Sequence, residues 1–150
     1  MAVVSFTSIG RPRPKGSYRA RVDSAGLPYV TAANGETLRL YENQLRCDAI
    51  EAMRSAGLSL FEGAILVKAH FFFSRPTSHY CLGKHAGRLR PAAARMHISS
   101  PDLDKVCRAL GDSLSGCVFR DDRQIVEWRA RRSWTSGYAR TCIIAGELHD

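Results

Sequence analysis

The stretch from Glu62 to Ser74 limits the fold more than any other part of this 150-residue chain. Ile65, Val67, Ala69, Phe71 and Phe73 alternate there with Leu66, Lys68, His70 and Phe72. A period of two is the mark of a β-strand. Both alternating sets are largely apolar, so neither face suits open water, and the pattern predicts a strand in the middle of a sheet. A chain of this length forms one domain with a real core, so the remaining elements must be arranged around this strand.

Ala2 to Ile9 reads as a short strand with Val3, Val4 and Phe6 directed inward. Thr37 is the expected cap of a helix in which Leu38, Tyr41, Leu45, Ala49, Ala52, Met53 and Ala56 recur at helical spacing until Gly57 stops them. A second helix is expected from Leu103 to Ser115, with Leu103, Cys107, Leu110 and Leu114 as its apolar stripe and Gly116 just past its end. Gln124 to Arg132 and Tyr138 to Glu147 read as a β-hairpin joined by Ser133 to Gly137. No internal repeat, low-complexity block or second-domain boundary interrupts the series, and residues 1–150 read as a single domain.

Charge narrows the possible partners. Lysine and arginine number 22 against 14 acids, a net charge of +8 that favours a polyanion such as nucleic acid. Arg11, Arg13, Lys15, Arg19 and Arg21 precede the first acid, Asp23. Tyr18 and the run Leu27-Pro28-Tyr29-Val30 indicate that this region is an ordered basic hairpin or loop. From Arg75 to Ser100 the chain carries Arg75, Lys84, Arg88, Arg90 and Arg95 and no acid, broken by Pro76, Gly83, Gly87 and Pro91. Residues 76–97 are therefore expected to form a mobile, DNA-facing loop. His79, Cys81 and His85 match no standard zinc spacing. Arg129, Arg131 and Arg132 are weaker DNA contacts, since strand arginines are often only solubilising. The five cysteines form no CxxC pair and suit reduced thiols in a cytosol. Neither a secretion signal nor an apolar run long enough for a membrane span is present, so a cytoplasmic location is expected.

Within this basic chain, Pro101-Asp102-Leu103-Asp104-Lys105 gathers two carboxylates at the start of the second helix. An N-cap explains one of them; the other needs a different reason. Asp104, Arg108 and Asp112 fall on one helix face. A helix of about 12 residues is roughly 18 Å long, and an extended return from Gly116 to Asp122 spans roughly 20 Å. A chain doubling back along the helix would bring Asp122 beside Asp102 and Asp104. Clustered carboxylates repel unless a cation joins them, and hard oxygen donors suit Mg²⁺ or Mn²⁺. Such an ion activates water and stabilises charge on a phosphodiester. Arg108 either holds the scissile phosphate or pairs within an Asp104–Arg108–Asp112 ladder, with Asp112 more structural than ligating. A metal-dependent nuclease accounts for these residues better than a plain basic binding domain.

The segments Pro101-Asp102-Leu103-Asp104-Lys105, Arg108-Ala109-Leu110, Asp112, Leu114 and Gly116, followed by Phe119-Arg120-Asp121-Asp122-Arg123-Gln124-Ile125-Val126, resemble the RusA family of Holliday-junction resolvases, especially its phage-encoded branch. Weaker similarity extends to Arg11-Pro12-Arg13-Pro14, Tyr41-Glu42, Arg75-Pro76 and Ser78-His79-Tyr80. The resemblance implies an α+β domain with a mixed β-sheet packed with two main helices, assembled as a homodimer. It implies binding of four-way DNA junctions and paired symmetrical nicking with Mg²⁺, for which Mn²⁺ can substitute. The essential aspartates of the family fall on Asp102, Asp104 and Asp122, as metal ligands, and its catalytic-site lysine is Arg108 here. Arginine keeps the charge but does not readily give up a proton. Lys105 stands where asparagine is frequent. Candidate contacts to the junction arms are Arg11, Arg13, Lys15, Arg19, Arg75, Lys84, Arg88, Arg90 and Lys105. A phage-encoded enzyme would work in the cytoplasm of its bacterial host. A junction-binding protein without catalysis and a broader flap or branched-DNA nuclease are the competing readings.

Overall fold

The computed structural model describes residues 1–16, 18–32 and 35–149. In chain order they form β1 (Val3–Ile9), β2 (Tyr18–Val22), β3 (Pro28–Ala32), α1 (Gly35–Ser55), β4 (Ala64–Ser74), α2 (Leu103–Leu114), β5 (Ile125–Thr135) and β6 (Arg140–Leu148). Short 3₁₀ turns occupy Thr77–His79, Gly83–His85 and Asp122–Gln124. The main sheet is mixed, in the order β1-β6-β4-β5, while β2 and β3 form the separate antiparallel hairpin expected of the basic N-terminal region. The architecture is α+β.

β4 is internal, as its two apolar faces require. β6 pairs with it antiparallel on one edge and β5 pairs with it parallel on the other. Ile65, Val67, Ala69, Phe71 and Phe73 pack into one core with Leu38, Leu45 and Met53 of α1 and Val106, Leu110 and Leu114 of α2. Leu66, Lys68, His70 and Phe72 lie half-buried on the opposite face.

The expected hairpin between β5 and β6 does not form, because these strands flank β4 on opposite edges. The link between them crosses the end of β4, where Arg75 N–H donates to Thr135 O at 2.9 Å and Ser74 Oγ–H donates to Gly137 O at 3.1 Å. A strand that must bury both faces also needs a hydrogen-bonding partner on each edge. That requirement overrides the short separation between β5 and β6.

Smaller corrections follow from packing. On β1, Val4 and Ser8 are buried while Val3 is 39% exposed, so Val3 faces outward. Thr37 lies inside the first turn of α1 rather than capping it. On α2 the buried set is Val106, Ala109, Leu110, Gly111, Ser113 and Leu114, and Leu103 and Cys107 are half-buried at its margin. The buried face is centred on Val106, Ala109, Leu110 and Ser113 rather than on Leu103 and Cys107, and α2 packs against α1. Gly116, at φ +78°, ends the helix as expected. Among the described residues no helix is long and apolar enough to cross a membrane.

Candidate active site

The first turn of α2 separates its two aspartates. Asp102 is the N-cap residue, yet its side chain makes no capping hydrogen bond. Its carboxylate is instead 3.0 Å from the Lys105 ammonium. Asp104 points elsewhere. It lines a cavity of about 270 Å³ with Arg108 and Asp122, and Cys107, Gly111, Ile125 and Trp128 complete the walls. Asp104 and Arg108 share this cavity because they are one turn apart on α2.

Asp122 arrives by the return from α2, and each step of that return has a cause. Cys117 and Val118 N–H groups both donate to Leu114 O, at 3.0 and 2.9 Å. Gly116 N–H donates to Phe119 O at 2.7 Å, which tightens the turn. Val118 and Phe119 are fully buried, and Phe61 N–H donates to Val118 O at 2.9 Å. Asp121 then caps the 3₁₀ turn by accepting from the Arg123 backbone N–H at 2.9 Å, while Gln124 Oε1 accepts from Asp121 N–H at 3.0 Å. The Gln124 amide donates to Phe61 O and Gly63 O, both at 3.0 Å, anchoring the turn to the chain before β4. Of the two adjacent acids, Asp121 is therefore consumed in structure and Asp122 faces the cavity. Hydrogen bonds from the Arg123 side chain, then from its backbone, hold the Asp121 carboxyl below its ordinary range.

Among the described residues no three His, Cys, Asp or Glu side chains converge closely enough to hold a metal ion by themselves. Two carboxylates from separate elements still meet at one cavity. Mg²⁺ is commonly held by one or two carboxylates, with water and substrate phosphate supplying the rest. Burial first, and then the Asp104 charge, pushes the Cys107 thiol up to about 11. The wall beside the carboxylates is thus a protonated thiol, and the donor set is hard oxygen.

Gly111 forms the cavity floor. A Cβ there would lie 3.5 Å from Trp128 Cζ2, 3.7 Å from Ile125 Cδ1 and 4.0 Å from Asp122 Cβ, all ordinary contact distances. Gly111→Ala should therefore stabilise α2 by about 0.5–1 kcal/mol through helix propensity, a rise of about 1–4 °C in Tm. Gly111→Leu should fill the cavity and lose activity while α2 stays folded. Thermal melts followed by circular dichroism separate the two effects.

The other candidates divide into tied and untied groups. Lys15 Nζ lies 3.1 Å from Glu42 and 2.7 Å from Asp112. Burial lowers its pKa, but the hydrogen bonds to Asp112 and Glu42 raise it overall. Its charge is neutralised internally, and Asp112 belongs to this bridge rather than to an Asp104–Arg108–Asp112 ladder. Arg75 donates to Ala94 O at 2.7 Å and stands 5.6 Å from the Trp134 ring centre. Arg90 donates to Tyr80 O at 2.9 Å, and Lys105 is held by Asp102. Arg11, Arg13, Arg19, Lys84 and Arg88 carry no ion pair among the described residues. His79 meets the edge of Trp134 at 5.2 Å.

One residue has a role that the sequence reading missed. Arg132 Nη1 donates to Ser99 O at 2.9 Å and also to Pro101 O, clamping the segment that leads into Asp102. The signal was present in the Arg131-Arg132 pair: on a strand, adjacent residues face opposite ways, so one of the two had to turn toward the protein.

Comparison with protein families finds that the model for endodeoxyribonuclease RusA matches residues 12–144, from before β2 into β6. A comparison with curated proteins found no match to this chain.

Proposed function

Because the chain belongs to the RusA endodeoxyribonuclease family, we propose that it is a Mg²⁺-dependent, structure-selective nuclease that resolves four-way DNA junctions by paired symmetrical nicks. The observation that carries this reading is the convergence of Asp104, Arg108 and Asp122 on one solvent-open cavity. Asp104 and Asp122 would hold the ion, with Asp102 completing the ligand set, and Mn²⁺ would substitute. Bound there, the ion would lower the pKa of a water and offset charge on the phosphodiester.

The protein's own groups supply the remainder. Arg108 can grip non-bridging phosphate oxygens in a fork, and its guanidinium stays charged throughout, so it contributes electrostatics and orientation rather than a proton. Ile125 and Trp128 present an apolar wall that excludes water from one side, which strengthens charge interactions inside the cavity. Arg11, Arg13, Arg19, Lys84 and Arg88, which carry no ion pair among the described residues, would neutralise phosphates of the junction arms independent of sequence. A two-fold substrate calls for a two-fold enzyme, each subunit of a homodimer cutting one strand. Recombination and repair in the cytoplasm are the setting in which such branched DNA arises.

Arg108→Ala should lower the cleavage rate about 100-fold, the scale of losing one preorganised charge donor. Arg108→Lys should keep most of the rate with an unchanged pH profile; a displaced profile would instead show that this position handles a proton. For the function as a whole, the purified protein is incubated with a labelled immobile four-way junction, a flap and a linear duplex, with Mg²⁺ or chelator. Paired nicks confined to the junction and requiring Mg²⁺ support the proposal. Binding without cutting in any divalent metal, or equal cutting of all three substrates, would overturn it in favour of a binding protein or a general nuclease.

A further inference from the structure

Arg131 and Arg132 are neighbours on β5 that turn to opposite sides of the sheet. Arg131 pairs with His70 on the face away from the helices, while Arg132 pairs with Phe71, which belongs to the core. On that side Arg132 is half-buried and makes no ion pair among the described residues. It donates instead to Ser99 O at 2.9 Å and to Pro101 O. Between Ile98 and Pro101, these two are the hydrogen bonds that the described residues make. The backbone that delivers Asp102 is thus fixed from β5 by one guanidinium, whose rigid fork of donors suits two carbonyl oxygens.

The helix that follows lacks its usual support. An aspartate at the N-cap normally accepts a hydrogen bond from a backbone N–H of the first turn. Asp102 holds that position with extended backbone, φ −68° and ψ 143°, but its side chain makes no such bond. The bond that closes the first turn, from Val106 N–H to Asp102 O, is long at 3.3 Å. The entry into α2 is therefore held from outside, through the carbonyl of the residue before the cap. This leaves the Asp102 carboxylate uncommitted to the backbone. Its partner among the described residues is Lys105, and the two side chains are 63% and 40% exposed. Ion pairs so open to water contribute little and exchange readily.

We propose that Arg132 is a positioning residue for the metal site: it takes over the structural work of the N-cap and so keeps Asp102 available as a ligand with Asp104 and Asp122. The proposal rests on the nuclease reading above. Groups that orient ligands without touching the ion commonly govern its affinity, and their loss weakens binding about 10–100-fold. Charge alone predicts the opposite sign. Removing a cation near carboxylates should tighten the binding of a metal ion, whereas losing a positioning contact should weaken it.

The test measures Mn²⁺ binding to the full chain without DNA, from loss of the free-ion electron paramagnetic resonance signal. The Mg²⁺ midpoint of single-turnover junction cleavage is measured in parallel. For Arg132→Ala the expected result is Mn²⁺ affinity about 10–100-fold lower and a Mg²⁺ midpoint raised by a similar factor. The cleavage rate should recover at saturating metal, and junction binding in chelator should change little. Arg132→Lys, which can still donate to a carbonyl, should lie between. Arg131→Ala removes the same charge from the other face and should not weaken Mn²⁺ binding. Circular dichroism melts establish that folded variants are compared; if Arg132→Ala does not fold, Arg132→Lys against Arg131→Lys carries the test. Where the free chain holds Mn²⁺ too weakly to measure, the Mg²⁺ midpoint decides by the same criterion. If the Arg132 variants bind metal as tightly as the unaltered protein, or tighter, the proposal falls while the nuclease reading stands. If the unaltered protein neither holds Mn²⁺ nor cuts the junction in any divalent metal, both fall together.

Discussion

Asp104→Asn is expected to lower the rate of junction cleavage by at least about 100–1,000-fold, the scale of removing a preorganised charge from an active site, while junction binding changes little. The substitution preserves shape and removes charge. Asp104 is exposed and takes part in no ion pair among the described residues, so neutralising it leaves no partner stranded. A rate lost without affinity is the signature of an interaction that matters in the transition state. Asp121 provides the contrast. Asp121→Asn should weaken the cap that accepts from Arg123 and loosen the 3₁₀ turn. Asp102→Asn should free Lys105 and also slow cleavage, because Asp102 completes the proposed ligand set. Full cleavage by the Asp104 variant in Mg²⁺, measured in single turnover alongside binding in chelator, would remove the carboxylate cavity as the site of chemistry.

Phe119→Ala should destabilise the protein by about 3–5 kcal/mol, the range for emptying a fully buried aromatic site. Phe119 is 0% exposed and its backbone carbonyl closes the turn that ends α2. A domain of this size is stable by only about 5–15 kcal/mol, so the loss should lower Tm by roughly 10 °C. It should also reduce cleavage in the fraction that remains folded, because Asp122 is held three residues further along the same return. Urea unfolding gives the answer. A lower midpoint at unchanged slope is expected; a change under about 1 kcal/mol would mean that the return is not part of the cooperative core.

Local chemistry explains what could be read from the residues. The alternation in β4, the helical spacing of α1 and the glycine stop after α2 each depend on a few neighbouring side chains. Partner choice depends on more. β5 and β6 looked like a hairpin because they are close in sequence, but the edges of β4 determine where each strand goes. The shifted buried face of α2 has a similar origin, since packing against α1 and the sheet decides which of its residues are covered.

For the site, the sequence alone determined the residue types, the acidic spacing along α2, the basic flanks and the length of return that permits Asp122 to reach the helix. Only the tertiary structure distinguished equivalent letters. It tied Asp121 into the cap of the 3₁₀ turn, turned Asp102 toward Lys105, committed Lys15 to Glu42 and Asp112, and gave Arg132 the segment leading into α2. The reason is physical: a one-dimensional pattern states which charges exist, whereas pairing depends on which side chains from distant elements come within hydrogen-bond reach once the core has closed.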